Sequence, residues 1–118
     1  MLEIIDIGPN VLGLKVLGKI QDEDMKKMIA VCEEKMQSFE RIAIYVEVVE
    51  MKGISIDALL TDLKFALPNL KRFSKKAVVS ESKWHEPLAK ISDKIFSSIE
   101  IRHFSPEERE NAKKWVLE

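Results

Sequence analysis

"VEVVEMKGISIDALLTDLKF", Val46 to Phe65, passes from a β-rich run into an amphipathic helix with little more than a glycine and a serine between them. The strand side begins further back, at "RIAIYVEV" (Arg41 to Val48), which is nearly all apolar through its middle. Such a run suits a central strand covered on both faces. The helix side opens at Ser55, a favourable N-cap, and should close before Pro68, because a proline disfavours helical geometry in the residue ahead of it. A strand followed at once by a helix is half of a parallel crossover unit. The fold therefore depends on whether that unit repeats.

It does repeat in both directions. "LEIIDI" (Leu2 to Ile7) and "VLGLKVLG" (Val11 to Gly18) are β-rich runs separated by Gly8, Pro9 and Asn10, a hairpin signal. Asp22 reads as the N-cap of a helix from about Glu23 to Gln37, with acidic residues where the helix dipole favours them. Downstream, "KAVVS" (Lys76 to Ser80) reads as a strand, Trp84 to Ser97 as a helix, and "IEIRHF" (Ile99 to Phe104) as an alternating, half-buried strand. The last helix is announced by Ser105, Pro106 and Glu108, a capping box with proline at the first helical position. The order is β-β-α-β-α-β-α-β-α. It predicts an α/β domain over residues 1–118: a mixed, mostly parallel sheet with an N-terminal β-hairpin and flanking helices joined by right-handed crossovers.

Composition agrees with a globular chain. Of the 118 residues, 46% are hydrophobic and 33% charged, too apolar for disorder, and the formal net charge of −1 gives no overall pull toward nucleic acid or anionic membrane. The single cysteine, Cys32, lies on the apolar stripe Met25, Met28, Ile29, Cys32, Met36 and reads as a core thiol. No basic-then-apolar leader opens the chain and no apolar run approaches a membrane span, so the expected location is cytoplasmic.

Several stretches, in their order and spacing, resemble one family. They are "GKIQDEDMKKM" after the hairpin, "IAIYVEV", the junction "MKGIS", "DLKFA", "KAVVSESKW" and the closing "EIRHFSPEERENAKKWV". Together they look like the SpoIIAA-like branch of the STAS-type fold, which is also compared with the CRAL-TRIO lipid carriers. Glu47 stands where such proteins often carry an aspartate, and Ile54 where an aromatic is usual. The resemblance implies a small-ligand or partner-binding module. It also raises Ser55 as a phospho-acceptor, since anti-sigma-factor antagonists of this fold are switched by phosphorylation of a serine at the start of this helix. The competing role for Ser55 is the ordinary cap.

In open sheets, ligands sit outside the carboxyl ends of the strands. That rule selects the junction Glu50 to Ser55 and the segment Ser80 to Trp84. Within the junction helix, Ile56, Leu59, Leu60, Leu63, Leu67 and Leu70 form one apolar stripe, expected to face the core, and Phe65 falls roughly opposite. Phe65 is then an exposed ring, a subunit contact in a homodimer, or one wall of a pocket. Trp84 aligns with Leu88, Ile91 and Ile95, which fits core packing, while its place after a strand end fits pocket lining. Met51, Ile54, Phe65 and Trp84 are the candidate contacts for a small apolar or lipid-like ligand or a protein partner.

Enzyme signatures are missing. There is no GxGxxG, P-loop, GxSxG or HExxH pattern, and His85 and His103 lack neighbours at metal-ligand spacing. Acid–base work by His103 would need a carboxylate such as Glu47 beside it. No catalytic residue, metal or cofactor is assigned. The basic run "LKRFSKK" (Lys71, Arg72, Lys75, Lys76) reads as a solvated face, with a peripheral membrane contact as the competing role. The expectation is a non-enzymatic binding domain, with a Ser55 phospho-switch as the alternative.

Overall fold

The strand that begins after Arg41 runs well past its apolar stretch. In the computed structural model, which describes residues 1–81 and 99–118, it spans Ile42–Ile54 and takes in the whole junction. Numbered in chain order, the strands are β1 (Leu2–Gly8), β2 (Val11–Ile20), β3 (Ile42–Ile54), β4 (Phe73–Val79) and β5 (Glu100–Phe104). The helices are α1 (Asp22–Ser38), α2 (Ile56–Ala66) and α3 (Arg109–Leu117). The helix expected over Trp84 to Ser97 lies outside the described residues.

The junction is therefore not a loop. β2 is ten residues long and supplies pairing partners for the extension: Leu17 opposite Glu50, Gly18 opposite Met51, Ile20 opposite Ile54. The pairing slips between Val16 and Leu17 and again between Gly18 and Ile20. Gly18 (φ 93°) and Gly53 (φ 114°) take up these irregularities in a backbone region that side chains disfavour.

The five strands are arranged β1-β2-β3-β4-β5, with β1 antiparallel to β2 and every other pair parallel. Strand order never reverses, so right-handed crossovers place successive connecting helices on the same face. α1 and α2 accordingly share one side of the sheet. They meet Leu12, Leu14, Val16, Ile42 and Phe73 in one core, while α3 covers the other side with Ala112, Trp115 and Val116 against Val11, Tyr45, Ala77 and Val79. The strand order has no reversal and hence no switch point.

Caps hold the helix ends. Gln21, rather than the expected Asp22, is the N-cap of α1, in a capping box with Asp24. Asp22 is the first helical residue and accepts from Thr61 Oγ1 on α2 at 2.5 Å. Ser55 caps α2, its Oγ accepting from Ala58 N at 3.1 Å. The Ser105–Glu108 capping box is present and encloses a 3-10 turn, Pro106–Glu108, that leads into α3.

α2 lies the other way round from its sequence pattern. Ile56, Leu59, Leu60 and Leu67 face outward, with Ile56 76% exposed. The inward face is Ala58, Thr61, Asp62 and Phe65. Ala58 is fully buried, and its small side chain lets the helix approach the core while Thr61 bonds α1. The leucine stripe carries more apolar area, but close approach selected the side with the small residue.

Candidate functional site

Between the sheet and the helices α1 and α2 lies a cavity of about 270 Å³. Leu12, Leu14 and Val16 from β2, with Ile44 and Val46 from β3, line it from the sheet; Met25, Met28 and Cys32 line it from α1. Phe65 and Ala66 at the end of α2, and Leu70 and Phe73 just beyond, complete the apolar wall. The Phe65 and Phe73 rings meet edge to face, 6.5 Å between centroids and 69° between planes. A volume of this size is close to the ~300 Å³ at which small-molecule pockets begin.

Among the described residues, two charged ones interrupt this lining: Lys76 on β4 and Asp62 on α2. Lys76 sits in the middle of the sheet, level with Ile44 on one side and Ile101 on the other. Lys76 lines the cavity, and burial holds its ammonium below the usual lysine range while Asp62 works in the opposite direction. Burial likewise raises the Asp62 carboxyl, with Lys76 opposing. Among the described residues neither group makes a hydrogen bond, and they are not within 4.0 Å of each other as an ion pair.

The lysine's neighbours show how unusual this is. Arg72 donates to the carbonyls of Met36 (2.8 Å), Phe39 (3.1 Å) and Glu40 (2.6 Å), closing the C-terminal end of α1. Lys75 donates to the Trp115 carbonyl at 3.0 Å and lies over the Trp115 ring. The run "LKRFSKK" is thus dispersed over both sides of the sheet and is not a solvated face. Only Lys71 of its four cations is classed as exposed.

The sequence-derived candidates divide. Ile54 and Phe65 line the cavity, so that of the three roles open to Phe65 the structure places it as a cavity wall. Met51 does not line it; it lies on the overhanging part of β3 and is 39% exposed. Trp84 and His85 lie outside the described residues. Ser55 is partly buried, with its hydroxyl engaged as the α2 cap. Lys76 and Asp62 escaped notice because one reads as part of a basic run and the other as a polar helix position. The available signal was the predicted strand "KAVVS", which starts on a lysine.

At the carboxyl end of β4, beside the middle of β3, a second hollow of about 200 Å³ is lined by Glu47, Val48, Val49, Val79, Glu81, Pro106 and Arg109. Its one buried carboxylate is already engaged. Tyr45 donates its hydroxyl to Glu47 Oε1 at 2.8 Å, and Arg109 lies 3.8 Å from Oε2. Burial, then the bond to Glu47, pushes the Tyr45 phenol up. His103 meets the Ser80 carbonyl at 2.8 Å. Cys32, fully buried, is pushed up to about 11 by burial and by Glu33, so it is a thiol at neutral pH. Among the described residues no group of three or more metal-ligating side chains is gathered, and no helix is long and apolar enough to cross a membrane.

A family model described as SpoIIAA-like matches residues 11–117. The fold is similar to the crystal structure of an uncharacterized protein of the DUF3478 family with a SpoIIAA-like fold, from Shewanella loihica PV-4. Identity is 25%, the TM-score is 0.74, and the match covers 90% of this chain and 83% of that one. No curated protein matches significantly.

Proposed function

The chain belongs to the SpoIIAA-like family, and from that premise we propose that it is a non-enzymatic binding domain that takes a small, largely apolar ligand between the sheet and helices α1 and α2. The observation that carries this reading is the 270 Å³ cavity itself, lined by apolar side chains from all five strands and from helices α1 and α2. Interiors fill to near-crystalline density, and a void of this size leaves its walls without dispersion partners. An apolar guest restores those contacts, and the walls sit on regular secondary structure, so the shape is largely pre-formed. The hollow beside Glu47 supports apolar ligand binding less well, because its buried carboxylate is already held by the Tyr45 hydroxyl and faces Arg109.

The test combines extraction with a filled cavity. Protein purified under native conditions is analysed by native mass spectrometry and by organic extraction, and a neutral apolar fluorophore is titrated into the delipidated protein. The expected results are an extractable apolar molecule and saturable fluorophore binding that Val46→Phe, which fills the cavity from β3, removes while the fold is retained. Equal fluorophore affinity in a folded Val46→Phe variant would overturn the assignment.

A further inference from the structure

We propose that Lys76 and Asp62 form a head-group subsite in this cavity, so that the preferred ligand is an amphipathic carboxylate. Its tail lies along Leu14, Val16 and Val46, and its carboxylate lies against the Lys76 ammonium. The inference rests on the binding reading above and names the chemistry of the ligand.

The first support is position. Ile42 is level with Phe73 but Ile44 is level with Lys76, so β4 carries one residue more than β3 over that step. This bulge brings Phe73 and Lys76 to the same face of the sheet and sends Lys75 to the other. A cation is thereby fixed among apolar side chains at the centre of the sheet, where a desolvated charge is costly unless it is compensated.

The second support is the lack of compensation among the described residues. Arg72 and Lys75 both reach backbone carbonyls, whereas Lys76 makes no hydrogen bond or ion pair among the described residues, although Asp62 lines the same cavity. Both side chains line the same cavity without pairing with each other.

The third support is complementarity. The Lys76 ammonium lines the cavity and offers only donors, which suit an acceptor, and an anionic acceptor also balances the lysine's charge. A carboxylate does both. An alcohol accepts but leaves the charge uncompensated, and an ammonium ligand adds a like charge beside Lys76. The volume suits a short chain rather than a two-tailed lipid.

The experiment measures binding of decanoate, decanol and decylamine to delipidated protein by calorimetry, in wild type, Lys76→Met and Asp62→Asn. The expected pattern is decanoate at least about tenfold tighter than decanol, as a charge-assisted hydrogen bond confers. Lys76→Met should reduce decanoate to the level of decanol and leave decanol unchanged, and Asp62→Asn should weaken decanoate less. Decanol binding as tightly as decanoate, decylamine binding tightest, or a folded Lys76→Met with undiminished decanoate affinity would each overturn the head-group subsite while leaving apolar binding in place. Failure of all three compounds to bind, with no uptake of the neutral fluorophore, would remove both readings.

Discussion

Lys75 and Lys76 are adjacent in the chain and serve opposite sides of the sheet. Lys75 Nζ donates to the carbonyl of Trp115 at the end of α3, 3.0 Å away, while Lys76 lines the cavity beneath α1 and α2. One lysine secures a helix end, and the other is left as a desolvated charge. Strand alternation puts the two side chains on opposite faces, and the bulge between β3 and β4 decides which lysine takes which role.

The desolvated charge should be visible in the pH dependence of stability. Folded Lys76 titrates below its ordinary 10.5, so the folded state binds fewer protons than the unfolded state between those two values. Stability therefore rises with pH through that window, and the contribution is lost as pH falls through the folded value. Asp62 acts with the opposite slope: titrating above its ordinary 3.8, it favours the folded state at acid pH and loses that contribution as pH rises. Urea unfolding across pH should show Lys76→Met flattening the alkaline rise and gaining on the order of 1–3 kcal/mol at neutral pH. Asp62→Asn should flatten the acid side.

Cys32 should behave as a sheltered thiol. A value of about 11 against the ordinary 9.0 lowers its thiolate fraction at pH 8 roughly a hundredfold, before any steric protection is counted. Labelling with a disulfide reagent should be slow in the native protein and should accelerate in step with unfolding by urea. Rapid native labelling would contradict the burial of this position.

Arg72 closes the end of α1 with hydrogen bonds to three carbonyls. Arg72→Ala should cost about 2 kcal/mol in chemical denaturation. Arg72→Lys should recover little of that, because an ammonium cannot present the same fork of donors.

Ser55→Ala should remove the α2 cap and cost about 1 kcal/mol, while Ser55→Asp, which can still accept from Ala58 N, should stay near wild type. Thermal melts of the three proteins decide it. Equal stability of all three would mean that the cap contributes nothing.

Gly13 should tolerate no side chain. A Cβ there would lie 2.4 Å from the Ile5 carbonyl oxygen on the paired β1 strand, so Gly13→Ala should destabilise by roughly 1–3 kcal/mol. The loss should appear in urea unfolding and leave Arg72→Ala effects additive.

Local chemistry made much of the fold legible. The Gly8–Pro9–Asn10 turn, the apolar middle of β3, the Ser55 cap and the Ser105–Glu108 box depend on residues within a few positions of one another, and each appears where the sequence puts it. The length of β3 was hidden, because Glu50, Met51 and Lys52 are held in strand by pairing to β2 rather than by their own preference.

What the sequence by itself determined about this protein is its elements, their order and hence a mostly parallel sheet: helix periodicity, strand patterning and capping are short-range properties. The tertiary structure decided which face of α2 turns inward and which of two lysines enters the cavity. The first depended on how closely Ala58 could approach the core, the second on a one-residue bulge between neighbouring strands. Both are contacts between segments distant in the chain. A pattern read along one segment cannot contain them.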